Sequence, residues 1–240
     1  MGEVNLYEAP ALRDITGPVI RPGGLELTDR GLACCSLAPG DRVLDIGCGT
    51  GAVVEYLRRR HGLAGLGLDF SSALLAEGSK IHSELPLVRG RAEQVPAPDG
   101  CFRAVLCECV LSLCPDPLRV LREVRRVLRP GGHLVLTDVY ARGLVTAAFT
   151  GKLSVNCCLQ GAVGRSTVED RIVAAGYDLL LWEDHSALLK QLAAQLVWTY
   201  GSLDAFWSAI AAPGAADTMR GGGTGGCSRP GYYLLVAQKP

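Results

Sequence analysis

The run Arg42-Val43-Leu44-Asp45-Ile46 leads directly into Gly47-Cys48-Gly49-Thr50-Gly51, and a helix-like stretch follows. A short apolar strand that ends in closely spaced glycines and opens a helix fixes a strand-to-helix turn that presses backbone against a ligand. Glycine has no Cβ to block that approach, and it takes positive φ at little cost. The spacing is Gly-x-Gly-x-Gly and lacks the third-glycine spacing of the dinucleotide fingerprint Gly-x-Gly-x-x-Gly. A pyrophosphate is therefore not the obvious ligand.

From Arg42 onward, apolar strand-like runs alternate with amphipathic helix-like runs. Strands are expected at 42–46, 64–69, 86–90, 102–107, 133–138, 177–183 and 232–238. The first five are short, apolar and mostly separated by helical stretches. That is the pattern of a doubly wound α/β sheet, mostly parallel, with helices on both faces. Pro130-Gly131-Gly132 is expected to stop a helix and turn into the fifth strand. The length suits one domain spanning 1–240: a lead-in over 1–40, a ligand-binding core over 41–139, and substrate-side segments with the last two strands over 140–240. A helix is expected around 25–37 and a longer one over 187–211. Residues 140–159 have helix-like patches but no clear strand, and the glycine run 221–226 is most simply a flexible loop.

Composition narrows the partners. The formal net charge is zero, which argues against nucleic acid. Arg58-Arg59-Arg60 and the group Arg122, Arg125 and Arg126 lie in helical stretches and are better explained as solvated faces. The start Met-Gly-Glu-Val-Asn-Leu has no basic or apolar signal region, and Leu6 stands where a myristoylation motif wants Ser or Thr. No apolar run reaches about 18 residues, so no membrane span is expected. Ten cysteines without an export signal are expected as reduced thiols in the cytoplasm.

Asp69 closes the second strand, about 20 positions after the glycine loop, where a carboxylate accepts hydrogen bonds from two ribose hydroxyls. The bland alternative is an N-cap for the next helix, a task Ser71 can do instead. Asp45 lies inside the first strand, and a buried lone carboxylate there needs a partner. A cationic amino group on the ligand or the N–H groups of the loop would supply one. Gly90-Arg91-Ala92-Glu93 ends the third strand.

Leu44-Asp45-Ile46-Gly47-Cys48-Gly49-Thr50-Gly51 resembles motif I of the S-adenosylmethionine-dependent methyltransferases. Asp69, Ala92-Glu93 and Val127-Leu128-Arg129-Pro130-Gly131-Gly132 fall in register with that family's landmarks. The resemblance implies a Rossmann-like seven-stranded sheet with an antiparallel last strand and a cofactor site at Asp45, Gly47, Cys48, Gly49, Gly51, Asp69, Phe70, Ala92, Glu93 and Cys107. Ala92 and Glu93 would flank the adenine. The long helix between the last two strands departs from the family's usual short hairpin.

Two further segments resemble the arsenite methyltransferases. Cys109 matches the cysteine of that group's Asn-Cys-Val-Ile-Asn-Leu, and Cys158 the cysteine of its Gly-Cys-Val-Ala-Gly-Ala. The resemblance implies that both thiols hold trivalent arsenic, a soft centre that prefers thiolates. The departures are a Val54 where the group has another cysteine, no clear match to the group's Gly-Cys-Gly segment ahead of the first strand, where Cys34-Cys35 falls only roughly, and extra thiols at Cys107, Cys114 and Cys157. Cys34, Cys35, Cys48 and Cys101 are expected as small buried apolar residues, and the same reading is the alternative for Cys109 and Cys158. Cys107 and Cys109 do not have zinc-knuckle spacing, so no metal is expected beyond arsenic.

His185, at the end of the sixth strand, is a candidate general base. Tyr140, Trp198, Tyr200 and Trp207 are candidates for an acceptor pocket or simply core. The expected activity is methyl transfer from S-adenosylmethionine to a small acceptor, first of all thiol-bound arsenic. The alternatives are carbon, oxygen or nitrogen of a small metabolite, as in the quinone-biosynthesis methyltransferases, or a cofactor-binding thiol sensor without turnover.

Overall fold

The computed structural model describes residues 4–143, 155–210 and 229–240. The expected 221–226 loop lies outside these residues. Seven strands form one sheet: β2 (Arg42–Ile46), β3 (Ala64–Asp69), β4 (Leu87–Arg89), β5 (Phe102–Glu108), β6 (Leu128–Arg142), β8 (Asp178–Asp184) and β9 (Arg229–Gln238). Their order is β4-β3-β2-β5-β6-β9-β8. Every pair from β4 to β6 is parallel, and β9 runs antiparallel to both its neighbours. The α/β class, the parallel core and the antiparallel last strand are as expected. A separate short pair joins β1 (Val4–Asn5) to β7 (Val155–Asn156), in parallel.

Winding reverses between β2 and β5. The chain first moves outward through α3 (Ala52–His61), β3, α4 (Ser72–Ile81) and β4, then returns to β5 on the other side of β2. In such sheets a ligand crevice opens beyond the carboxyl ends of the strands at the reversal.

Period-two alternation divides the core. Leu44, Ile46, Val105 and Cys107 face one side, where they meet Val120, Leu121, Val124 and Val127 of α5 (Pro117–Val127) and Val168 and Ile172 of α6 (Arg165–Ala174). Val43, Ala104 and Leu106 face the other, beside Leu27 and Leu32 of α2 (Gly24–Leu32) and Leu57 of α3. Gly31 lets α2 approach the sheet, since a Cβ there would lie 2.4 Å from Val135 Cγ1.

Several boundaries differ from the sequence expectation. The helix expected over 25–37 ends at Leu32. Helix α5 stops at Val127, but Pro130-Gly131-Gly132 continues as the start of a longer β6. That segment pairs through Gly131 N–H to Lys239 O and Lys239 N–H to Gly132 O. The helix expected over 187–211 divides into α7 (Ser186–Tyr200) and α8 (Leu203–Ile210). Gly201, with φ of 82°, caps α7 and sets the break. Strand β8 lies at the sheet edge, so Leu179 and Leu180 remain exposed. Among the described residues, no helix is long and apolar enough to cross a membrane.

The lead-in lies across the cavity side of this sheet. Helix α1 (Pro10–Thr16) is tied to α4 by an Arg13–Glu77 ion pair at 2.6 Å, and Ser71 Oγ donates to Glu8 at 2.8 Å.

Candidate cofactor cavity and thiol site

A cavity of about 330 Å³ opens at the carboxyl ends of β2, β3 and β5, in the size range of small-molecule sites. The glycine loop forms its floor. Gly47, at φ 75°, donates its N–H to Leu68 O, and a Cβ there would lie 2.2 Å from Val110 Cγ2. Gly49, at φ 54°, donates to Asp69 Oδ2 at 2.8 Å. Cys48 and Gly49 line the cavity. The Cys48 side chain packs with Val54 and Leu75, and burial pushes its thiol up. Gly51, at φ 87°, is the N-cap of α3.

Asp69 is buried on the cavity wall and accepts N–H bonds from Gly49 and Ser71. Burial raises its pKa, and those backbone donors partly offset the rise. Ser71 caps α4 through Oγ, which accepts from Leu74 N–H at 3.2 Å. The capping task therefore falls to Ser71, and Asp69 retains lone-pair capacity toward the cavity. Asp45 is 3 % exposed, and its Oδ2 has no hydrogen-bond partner among the described residues. Burial first, then the charge of Glu108, raises its pKa well above the usual range, and Arg21 opposes this. A buried acceptor without a donor costs about 1–3 kcal/mol, so the cavity is preset for a cationic or N–H group. Phe70, Ala92 and Glu93 line the same cavity. Phe70 is 54 % exposed there.

Cys107 departs from its expected place. It is 1 % exposed in the core between β5 and α5, and it does not line the cavity. Alternation along β5 aims the next side chain, Glu108, into the cavity instead.

At the end of β5 the alternation breaks. Cys109 has φ of 59°, and no other non-glycine among the described residues has positive φ. Its N–H donates to Thr137 O at 2.7 Å. Alternation alone would put Cys107 and Cys109 on one face, yet the two thiols pack on opposite sides of the sheet. Cys109 Sγ lies 3.1 Å from Tyr232 Oη, whose hydroxyl reaches Thr137 Oγ1 at 3.1 Å. Strained backbone of this kind persists where the surroundings hold it, often at functional sites.

Cys158 arrives on the 3₁₀ turn Cys158–Gly161. Gly161 is the close approach that seats the turn: a Cβ there would lie 1.8 Å from Ser112 O. The Sγ atoms of Cys109 and Cys158 and a carboxylate oxygen of Asp138 all lie within 4.8 Å of one another. A hydrogen bond to Cys109 and then burial push the Cys158 thiol well up. Its backbone N–H donates to Tyr7 Oη at 3.3 Å. Asp138 is buried and accepts from Ser112 N–H, Ser112 Oγ–H and Val139 N–H. Burial pushes its carboxyl up to about 6 against those bonds.

The structure thus joins two thiols from distant segments and adds groups the sequence reading passed over: Tyr7, Glu108, Asp138 and Tyr232. Asp138 ends the fifth expected strand, so the reasoning applied to Asp69 would have found it. The other candidates lie elsewhere. His185 sits 2.9 Å from Glu183 at the start of α7, away from the cavity. Tyr140 packs on Trp182 and Tyr233, and Tyr200 on Phe206. Trp198 is 91 % exposed. Cys35 is buried, Cys34 contacts Arg30, and Cys157 is buried with its thiol pushed up to about 12. Cys101 and Cys114 are half-buried, and Cys114 lines the cavity.

Known proteins resemble this chain at the level of family and fold. Residues 44–136 match the methyltransferase domain family. The methyltransferase GfsG of Streptomyces halstedii is 26 % identical over 90 % of this chain and 81 % of its own length. A demethylmenaquinone methyltransferase of Mycolicibacterium gilvum is 30 % identical over 79 % of this chain and 83 % of its own. An arsenite methyltransferase of Aquipseudomonas alcaligenes is 34 % identical, over 55 % of this chain and 43 % of its own. Other demethylmenaquinone methyltransferases are matched over only about half their length. Among solved structures, the [4+2]-cyclase SpnF superposes with a TM-score of 0.74 at 25 % identity, covering 98 % of this chain and 94 % of that one.

Proposed function

The chain belongs to the S-adenosylmethionine-dependent methyltransferases, and from that premise we propose that its methyl acceptor is trivalent arsenic held by Cys109 and Cys158. The observation that carries this reading is the convergence of those two thiols and Asp138 within 4.8 Å beside the cavity. The match to an arsenite methyltransferase supports it.

When bound, the cofactor supplies a methyl group activated by its sulfonium. The cavity residues suit it. Asp69 would accept the ribose hydroxyls, the orphan Asp45 Oδ2 would accept from the cationic amino group, and the glycine loop leaves backbone bare against the ligand. Phe70, Ala92 and Glu93 would border the base. Cys109 lines the cavity, with Cys158 and Asp138 behind it, so the acceptor site adjoins the donor site.

Arsenic loading balances without an external base. Two As–OH bonds of arsenous acid break and two As–S bonds form, and the thiol protons leave with the two hydroxides as water. The raised thiol pKa of Cys158 is therefore no obstacle. Two sulfur ligands from separate segments fix the atom in place, and holding reactants in line supplies much of the rate in a displacement. The arsenic lone pair carries no proton, so methyl transfer to it needs no general base.

A second reading is a small organic acceptor. The demethylmenaquinone methyltransferase match favours it, because it spans more of this chain than the arsenite methyltransferase match. Here Asp138, its carboxyl raised to about 6, would take the acceptor's proton.

Reduced protein with methyl-labelled S-adenosylmethionine, arsenite and a thiol reductant separates the two. Labelled methylarsenic that disappears in Cys109→Ser and in Cys158→Ser supports the arsenic reading. Its absence in the wild type, with cofactor binding intact, moves the acceptor to an organic metabolite.

A further inference from the structure

We propose that Arg21 clamps the cofactor's α-carboxylate while Asp45 takes its α-ammonium, so that the lead-in residue and the strand residue together form a zwitterion receptor. This rests on the placement of S-adenosylmethionine in the cavity described above.

Arg21 opens the lead-in Arg21-Pro22-Gly23-Gly24-Leu25-Glu26-Leu27-Thr28, which the family resemblance leads one to expect over the cofactor. It precedes α2 on a tight turn closed by Arg21 N–H to Val19 O at 3.0 Å. Its side chain is 4 % exposed and lines the cavity. Nη2 is committed: it donates to Thr28 Oγ1 and lies 2.9 Å from Glu108 Oε2. Thr28 is fully buried on α2, and its hydroxyl also reaches Glu108 at 3.3 Å. The guanidinium is therefore held from one side.

The other side is not satisfied. Arg21 Nη1 is buried and has no hydrogen-bond partner among the described residues. Asp45 Oδ2, in the same cavity, is buried and equally without a donor. Leaving either atom unpaired is costly. Glu108 Oε2 also lacks a hydrogen bond but is ion-paired with Nη2; Arg21 Nη1 and Asp45 Oδ2 carry opposite charge, and one ligand bearing both an ammonium and a carboxylate satisfies both. The amino-acid end of S-adenosylmethionine has this pattern. Arginine suits the task because its planar fork keeps donors free when one nitrogen is engaged. Glu108 precedes Cys109 directly, so the same contact anchors the cofactor beside the acceptor thiol.

A purely structural Arg21, present only to neutralise Glu108, would make a different prediction. Its loss would disturb the cavity for every adenosyl ligand alike.

Calorimetric titration of the full chain with three probes distinguishes these roles. S-adenosylhomocysteine carries both charged groups, its decarboxylated form S-adenosyl-3-thiopropylamine keeps only the amine, and methylthioadenosine has neither. In Arg21→Met, S-adenosylhomocysteine should bind roughly tenfold or more weakly, in line with loss of a buried charged partner. Methylthioadenosine and the decarboxylated probe should stay within about twofold of wild type, because their contacts lie away from Nη1. Arg21→Lys, which keeps a charge, should recover part of the loss. Equal weakening of all three probes, or none of any, overturns the clamp and leaves the cavity's cofactor role intact. A wild type that binds none of the three overturns both.

Discussion

Asp69 closes β3, whereas Asp138 lies within β6, and their surroundings differ in turn. Asp69 borders the cavity with two backbone donors and spare lone pairs. Charge-assisted hydrogen bonds contribute roughly 1.5–3 kcal/mol each, so Asp69→Ala should weaken S-adenosylhomocysteine binding at least tenfold by calorimetry. Unchanged binding would remove Asp69 from the site. Asp138 is enclosed, with a folded pKa near 6 against 3.8 for the free side chain. A raised carboxyl pKa means the folded state holds the proton longer. The destabilising effect of this group is thus absent below about pH 4, grows as pH rises through 4–6, and is complete above that. The Tm advantage of Asp138→Asn over wild type should therefore increase from pH 4 to pH 7; an advantage that is constant across this range would contradict the shift. Asp69 was legible in sequence because a strand end and a spacing from the glycine loop define it. The lead-in from Arg21 was legible as a cover, but the part its side chain plays was not, since that depends on Glu108 and Asp45, which lie distant in the chain. Cys107 came from the resemblance alone, and alternation along β5 turns its side chain into the core.

The turn Cys158–Gly161 depends on how closely it lies against the segment after β5. A methyl group at Gly161 would collide with backbone, not with a side chain that can rotate away. Gly161→Ala should push the turn outward, separate Cys158 from Cys109 and abolish arsenite binding. S-adenosylhomocysteine affinity should remain within about twofold, because the cavity floor is a separate element. Retained arsenite binding would show that the turn is not what positions Cys158. The sequence offered Gly161 only as part of a resemblance, since its neighbour Ser112 lies on another segment. Regular elements were easier to read. Alternation and helical spacing located the strands and the helices of the core, because burial on fixed faces imposes those periods. The divisions that failed, at Leu32, Val127 and Gly201, are helix ends, where one glycine or one strand pairing decides the boundary.

Across the molecule, the reversal of winding between β2 and β5 gathers the functional groups at one edge of the sheet. The glycine loop, Asp69, Glu108 and Cys109 all sit at carboxyl strand ends, and the lead-in brings Tyr7 and Arg21 over them. A ligand there contacts segments from the lead-in to the turn after β5, so its binding energy should appear as global stability. At about a hundredfold excess over Kd, linkage contributes about 2.7 kcal/mol, which for a chain of this size raises Tm by roughly 5–10 °C. S-adenosylhomocysteine should produce that rise in the wild type and a much smaller one in Asp69→Ala at the same concentration; equal shifts would place the ligand elsewhere. The most direct test of the thiol pair as acceptor site is arsenic K-edge X-ray absorption on the full chain loaded with one equivalent of arsenite. Two sulfur neighbours in the wild type, falling to one in Cys109→Ser and in Cys158→Ser, are expected. An oxygen-only shell in the wild type, or two sulfurs that survive both substitutions, would contradict it.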